Sequence, residues 1–258
     1  MITDEQRTAF ARDGYIVLRA CVPAERVRAA RDRIAEALER DESIGELPRF
    51  LASTFCPSIT RDPEIVGLLE PAYPAIAALF GVPEAPRAKS GQIALRFPER
   101  ARIDARHGFH LDGFPTALNN VPRGTVHRHT LLCGVYLTPL RGPDRGNFVV
   151  WPGSHRHFAR MLRALDAPAF LATHGAEALL DRIRAEEVGP PRQIEVEPGD
   201  VVLAHHLLAH GASDNLALRT RETVYFRLLH PRDSAQDPTP LMDERAMFDG
   251  VDWSTNQD

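Results

Sequence analysis

The chain has 258 residues, 43% of them apolar and 26% charged, with 31 basic against 35 acidic side chains for a net charge of −4. This is the composition of an ordinary water-soluble globular chain, and an acidic balance with Lys89 as its single lysine offers no general polyanion-binding surface, so no nucleic acid partner is expected. Cys21, Cys56 and Cys133 are widely spaced and odd in number, which argues against a disulfide framework or a cysteine zinc site and fits a reducing compartment.

The opening "MITDEQRTAFARDG" is polar and lacks the apolar core of a signal peptide. Thr3 reads as an N-cap with Gln6 as its capping-box partner, for a helix over 4–12 ended by Gly14. "YIVLRAC" reads as a strand. "AERVRAARDRIAEALER" after Pro23 is an amphipathic helix, with Val27, Ala30, Ile34 and Leu38 at helical spacing. Shorter helices follow around 63–70 and 72–80. From residue 87 the pattern turns to strands: "SGQIALRFP", "HTLLCGVYLTPL", "GNFVVWPGSH", "RQIEVEPGDVVLAHH" and "RETVYFRLL". The fourth reads as a hairpin about Pro198-Gly199-Asp200. A helical insert occupies 155–187, broken at Pro168 and Gly175. Helices followed by many strands suggest an antiparallel β-sandwich or barrel buttressed by helices. A single domain over 1–258 is expected: a helical part about 1–86, a barrel about 87–230 and a tail 231–258. No run of about 18 apolar residues occurs, so no membrane partner is expected, and the chain is read as cytoplasmic.

In "HGFHLDGFP", residues 107–115, His110 and Asp112 are two apart and on an extended strand face the same way, able to offer one imidazole nitrogen and one carboxylate oxygen to a single ion. The pattern is short, and a solvated histidine beside a turn aspartate is the plain alternative. Further ligands must come from elsewhere. "PGDVVLAHHLLAHGASDN" supplies His205, His206 and His210, and the following strand carries Arg219, Arg221 and Arg227 on one face. Two histidines and one carboxylate that leave three adjacent positions open form the facial triad of non-heme Fe(II) oxygenases, and a nearby arginine can hold the carboxylate of a 2-oxo acid.

At this point the chain resembles the phytanoyl-CoA dioxygenase family of Fe(II)/2-oxoglutarate-dependent oxygenases. The resemblance rests, in order, on "FARDGYIVLRACVP", on "HLD" at 110–112, on "RGNFVVWPGSH" at 145–155, and on "PGDVVLAHHLLAHGASDNLALRTR" at 198–221. It implies a double-stranded β-helix, the jelly-roll, cupin-like barrel, mainly β with N-terminal helices and a helical insert. It implies Fe(II) on His110, Asp112 and His210, with Arg221 holding the far carboxylate of the co-substrate 2-oxoglutarate and O2 as oxidant. His206 competes by strand parity, but its spacing to Arg221 differs from the family's. Arg219 is the second choice for the co-substrate, and Gln92, with Arg96 on the same face, is assigned to cofactor or pocket contacts.

The implied activity is hydroxylation of an unactivated C–H bond of a small-molecule metabolite, with release of succinate and CO2. Asp112 stands where related halogenases have Gly or Ala, which favours oxidation over halogenation. His107 is read as a surface or pocket-rim residue, His127 and His129 as plain polar residues before a strand with pocket lining as the alternative, His155 as capping or packing the following helix, and Trp151, Tyr136 and Phe114 as core residues with pocket walls as the alternative. Asn215 is given to the turn after His210. The loop 113–128, with Asn119, Asn120 and Arg123, is expected to cover the substrate. The rivals are a cupin-like metal enzyme without co-substrate, a non-catalytic 2-oxoglutarate or metal sensor, and a zinc hydrolase; no HExxH supports the last.

Overall fold

A computed structural model describes residues 2–40, 54–55, 57–99, 108–114, 121–122, 125–234, 237 and 239–254. Helix α1 (Asp4–Asp13) carries the expected capping box: Thr3 Oγ1 accepts from the Gln6 amide at 3.2 Å and Gln6 Oε1 accepts from the Thr3 amide at 2.9 Å. Gly14 ends the helix in the left-handed region, at φ 81°. Strand β1 (Tyr15–Leu18) follows, then α2 (Ala24–Arg40), which buries Val27, Ala30 and Ile34. After β2 (Thr54–Phe55), helix α3 (Pro63–Val66) runs through a 3-10 turn at Gly67–Ala72 into α4 (Tyr73–Phe80).

The strands β3 (Gln92–Arg96), β4 (Leu131–Tyr136), β7 (Val201–His205) and β9 (Arg221–Leu228) join β1 and β2 in one antiparallel sheet, ordered β1-β7-β4-β9-β3-β2. A smaller sheet holds β6 (Arg192–Gln193), β5 (Phe148–Val150) and β8 (His210–Ala212) in that order. Two facing antiparallel sheets, one of them backed by helices, make the double-stranded β-helix that the resemblance implies.

Strand alternation builds two cores from one large sheet. Ile93, Leu95, Leu131, Cys133, Val135, Val201, Leu203, Val224 and Phe226 point outward and pack under α1, α2 and α4. Leu132, Tyr136, Val202 and Ala204 point inward and meet Phe148, Val150, Ile194 and Val196 from the small-sheet side. A third cluster joins Leu111 and Trp151 to helices α5 (Ser154–Ala164) and α6 (Ala167–Arg184).

Two sequence expectations change. The segment 192–205 is not a hairpin: β6 pairs with β5 in the small sheet, whereas β7 pairs with β1 and β4 in the large one. Pro198-Gly199-Asp200 carries the chain from one sheet to the other, and Asp200 pins the crossing by accepting from the Ala20 and Glu197 amides and from Arg19. Both arms alternate as a hairpin would, but they face each other across the barrel. The helical insert breaks at Leu165–Asp166, with Pro168 inside the first turn of α6, and is again non-helical at Gly175. No helix among the described residues is long and apolar enough to cross a membrane. After the short helix α7 (Thr239–Met242), tail residues Met247, Phe248 and Val251 are buried.

Candidate metal and co-substrate site

His110 and His210 lie a hundred residues apart and meet through an isolated antiparallel bridge, His110 N–H to His210 O at 2.9 Å and His210 N–H to His110 O at 3.1 Å. The bridge sets their rings 4.4 Å apart. Asp112, two residues on, presents Oδ1 at 3.4 Å from His110 Nε2 and 3.5 Å from His210 Nε2. One ligand atom from each of the three can be chosen so that all lie within 4.8 Å of one another. Metal–ligand bonds of about 2.1 Å at right angles put donor atoms about 3 Å apart; the two carboxylate–imidazole separations are close to that, and the three donors could hold a single ion once drawn in around it.

Several local devices fix the donors. Gly113, at φ 95°, lets the chain turn against His127: a Cβ there would lie 2.2 Å from the His127 carbonyl oxygen. His210 Nδ1 lies 2.9 Å from the Leu208 carbonyl. A carbonyl only accepts, so Nδ1 carries a proton and Nε2 is the nitrogen turned toward Asp112. The Pro-Gly-Ser-His turn contributes from behind: Ser154 Oγ accepts from the Ala209 amide at 2.9 Å.

Electrostatics favour a ligand-competent carboxylate. Burial works to raise the Asp112 carboxyl, but His210, His110 and Arg227 outweigh it and hold it well below the usual carboxylate range. The His110 imidazole is lowered, first by desolvation and then by His210, with Asp112 acting in the opposite sense; half of its side-chain area nevertheless stays open toward the mouth.

Arg221 begins β9 and is buried inside the barrel. Its NH1 reaches Tyr225 Oη at 3.4 Å, and Phe148 spans the gap to the histidines, 6.0 Å from the Tyr225 ring and 5.3 Å from the His210 ring. Arg221 Nε and Thr223 Oγ1 are buried without a hydrogen-bond partner among the described residues, and no described carboxylate pairs with Arg221. Its register neighbour Arg96 differs, lying 3.7 Å from both Glu99 and Asp214. A buried, unneutralised guanidinium beside a free hydroxyl is a cradle for an anion, which fits the far carboxylate of 2-oxoglutarate.

The remaining candidates separate clearly. Arg219 is exposed in the loop before β9 and is not brought to the site, because strand alternation starts only at Arg221. Gln92 sits at the mouth, where its Oε1 accepts from Arg227. His206 is turned away, its ring nitrogens at the Thr130 and Pro240 carbonyls, and His205 Nε2–H donates to the Glu244 carbonyl. His155 Nε2 meets the Ala11 carbonyl at 3.2 Å, tying α5 to α1. His127 is exposed, and His129 is buried close to His206. Tyr136 and Phe114 are buried, in the inner cluster and in the cluster under α5 and α6, and Trp151 packs on Phe109. Asn215 stitches its turn by donating to the Arg96 and Arg219 carbonyls. His107, Asn119, Asn120 and Arg123 lie outside the described residues.

Sequence reading gave no role to Thr223 or Tyr225, and none to Arg227 beyond a shared face. The two-residue repeat that starts at Arg221 is the signal that names all three.

Residues 98–223 match the family model described as phytanoyl-CoA dioxygenase. A probable phytanoyl-CoA dioxygenase of Caenorhabditis elegans is 24% identical over 87% of this chain and 74% of its own length. Among solved structures, the non-heme alpha-ketoglutarate-dependent carbocyclase SnoK from nogalamycin biosynthesis aligns at 19% identity over 88% of this chain and 84% of its own, with a TM-score of 0.56. HygX of Streptomyces hygroscopicus, with nickel, 2-oxoglutarate and hygromycin B bound, aligns at 18% identity over 87% and 86%, with a TM-score of 0.52. These structural likenesses establish the fold; the family match, which covers just under half of the chain and is carried by the segment that holds His110, Asp112, His210 and Arg221, makes it an iron- and 2-oxoglutarate-dependent oxygenase similar to the phytanoyl-CoA dioxygenase family.

Proposed function

We propose that this oxygenase hydroxylates an unactivated C–H bond of a small-molecule metabolite, with His110, Asp112 and His210 holding Fe(II) and Arg221 holding the far carboxylate of 2-oxoglutarate. The observation that carries the reading is the pairing of two features inside one barrel: a His-Asp-His cluster with its donor atoms converged, and a buried arginine with no described carboxylate partner. Hygromycin B in the HygX structure supports a small molecule as the kind of substrate.

Iron and 2-oxoglutarate, when bound, supply the oxidising chemistry, in which the keto acid leaves as succinate and CO2 while O2 is consumed. The chain's own residues prepare the place. Asp112 stays ionised and so needs no deprotonation to bind a cation. Leu208 fixes the His210 tautomer, and the His110–His210 bridge fixes the spacing. Arg221 and Thr223 offer a fixed charge and a hydroxyl to the anionic end of the co-substrate. Phe148, Val150 and Tyr136 exclude water from the floor.

The test is an anaerobic titration of metal-free protein with Fe(II) and then 2-oxoglutarate, watched through the weak visible charge-transfer band of the chelate. A band in the wild type, lost in His210→Ala and requiring more 2-oxoglutarate in Arg221→Ala, supports the assignment and opens a substrate screen by succinate release. Bound iron without a band overturns it.

A further inference from the structure

Asp112 divides its two oxygens between two sets of partners. Oδ1 faces His110 and His210, at 3.4 and 3.5 Å. Oδ2 is taken by Arg227, whose Nε lies at 2.9 Å and NH2 at 2.7 Å. The guanidinium is itself held, because its NH1 donates to Gln92 Oε1 at 2.9 Å. Gln92 on β3 and Arg227 on β9 come from adjacent strands of the large sheet, and the aspartate comes from the segment bridged to β8 of the small one. The relay Gln92–Arg227–Asp112 therefore spans the mouth of the barrel.

We propose that Arg227 is a positioning residue for the metal centre: by occupying Asp112 Oδ2 it leaves Oδ1 alone for the cation, with Gln92 setting the angle of the guanidinium. The inference rests on the iron and 2-oxoglutarate reading of this site. Its chemical content is a count of coordination positions. A carboxylate can bind an ion through one oxygen or through both. Three single-atom ligands leave three adjacent positions open, enough for a chelating keto acid and one further molecule. A carboxylate free to swing its second oxygen inward takes one of those positions. A point charge would not serve equally well, because the fork places two N–H groups on a single oxygen and a third on Gln92.

A counter-expectation makes the idea testable. If Arg227 were only a neighbouring positive charge, removing it would strengthen cation binding at Asp112 and leave the coordination unchanged. The experiment loads metal-free protein anaerobically with Co(II), reading the ligand-field spectrum, and separately with Fe(II) followed by 2-oxoglutarate, reading the chelate band. Wild type is compared with Arg227→Ala, Arg227→Lys and Gln92→Ala, each checked for an unchanged melting profile. The expected result for Arg227→Ala is retained metal binding, a Co(II) spectrum of lower intensity from the added ligand atom, and a 2-oxoglutarate dissociation constant raised about tenfold, the scale on which partners of metal ligands act. Arg227→Lys should recover part of the loss and Gln92→Ala should fall between; these two decide the matter if Arg227→Ala does not fold.

Arg227→Ala with the wild-type spectrum and wild-type 2-oxoglutarate affinity overturns the inference, and so does tighter metal binding with an unaltered spectrum. A wild type that binds Fe(II) but shows no chelate band overturns the oxygenase reading and this inference with it. A wild-type band that Arg227→Ala leaves untouched overturns this inference alone.

Discussion

Ser154 Oγ accepts a hydrogen bond from the Ala209 amide at 2.9 Å, one residue before His210. The Ser of the Pro-Gly-Ser-His turn thus reaches across from the start of α5 and sets the backbone that delivers a predicted iron ligand. Trp151 N–H, donating to the Ala209 carbonyl at 3.1 Å, grips the same residue from its other side. Ser154→Ala leaves a buried amide without its acceptor, at a cost of about 1–3 kcal/mol. We expect a melting point lower by several degrees and an Fe(II) affinity weakened about tenfold. Isothermal titration with Fe(II) under argon checks it, and an unchanged affinity would detach Ser154 from the metal site.

Much of this arrangement is legible in the sequence, and the rest is not, for identifiable reasons. The capping box at Thr3 and Gln6 and the amphipathic stripe of α2 are local, so they read directly. The arms about Pro198-Gly199 read as a hairpin because alternation reports burial but not the partner strand. The choice between His206 and His210 could not be made from parity, since both sit within a few residues of each other; the bridge to His110 decides it in space, across a hundred residues of chain. Arg219 stands apart for the opposite reason: alternation counted back from Arg221 runs two residues beyond the start of β9, into the exposed loop.

Arg221 yields a prediction with opposite signs in two states. A buried guanidinium with no described carboxylate partner costs stability when nothing fills the cradle. Arg221→Leu should therefore melt no lower than wild type in the absence of 2-oxoglutarate. With metal and saturating 2-oxoglutarate, wild type gains about 2.7 kcal/mol at a hundredfold excess over its dissociation constant, whereas Arg221→Leu should gain far less. Differential scanning fluorimetry over a 2-oxoglutarate series reads both effects. A 2-oxoglutarate-dependent rise as large in the variant as in wild type would place the co-substrate carboxylate elsewhere.

Acid sensitivity should come from the buried histidines behind the site. Burial lowers the His155 imidazole from 6.5 to about 3, with Arg156 and His206 adding to the effect and the Ala11 carbonyl and Asp13 opposing it; His205 also lies against the ring. The folded state therefore keeps His155 neutral over a range in which the unfolded chain binds a proton. The stability is fully present above pH 6.5 and is lost progressively as the pH falls toward 3. His206, lowered to about 4, acts in the same direction. Melting curves between pH 8 and 5 should fall with acid, and His155→Gln, which can still donate to the Ala11 carbonyl, should flatten the slope. An identical slope in the variant would assign the loss to the other histidines.

The C-terminal tail belongs to the helical side of the fold. Phe248 is fully buried, with its ring centroid 5.0 Å from Phe10, 5.7 Å from Phe80 and 4.8 Å from His205. The Glu244 carbonyl accepts from His205, and the Met242 carbonyl accepts from Arg163. The tail therefore closes the core that α1 and α4 build against the outer face of the large sheet. Phe248→Ala removes a ring from the middle of that cluster and should cost about 3–5 kcal/mol. Because His205 lies five residues before His210, the loss should also loosen the site, and added Fe(II) should restore only part of the melting temperature. Urea unfolding of wild type and variant, with and without metal, measures both effects. A variant as stable as wild type would mean that the tail rests on the core without helping to form it.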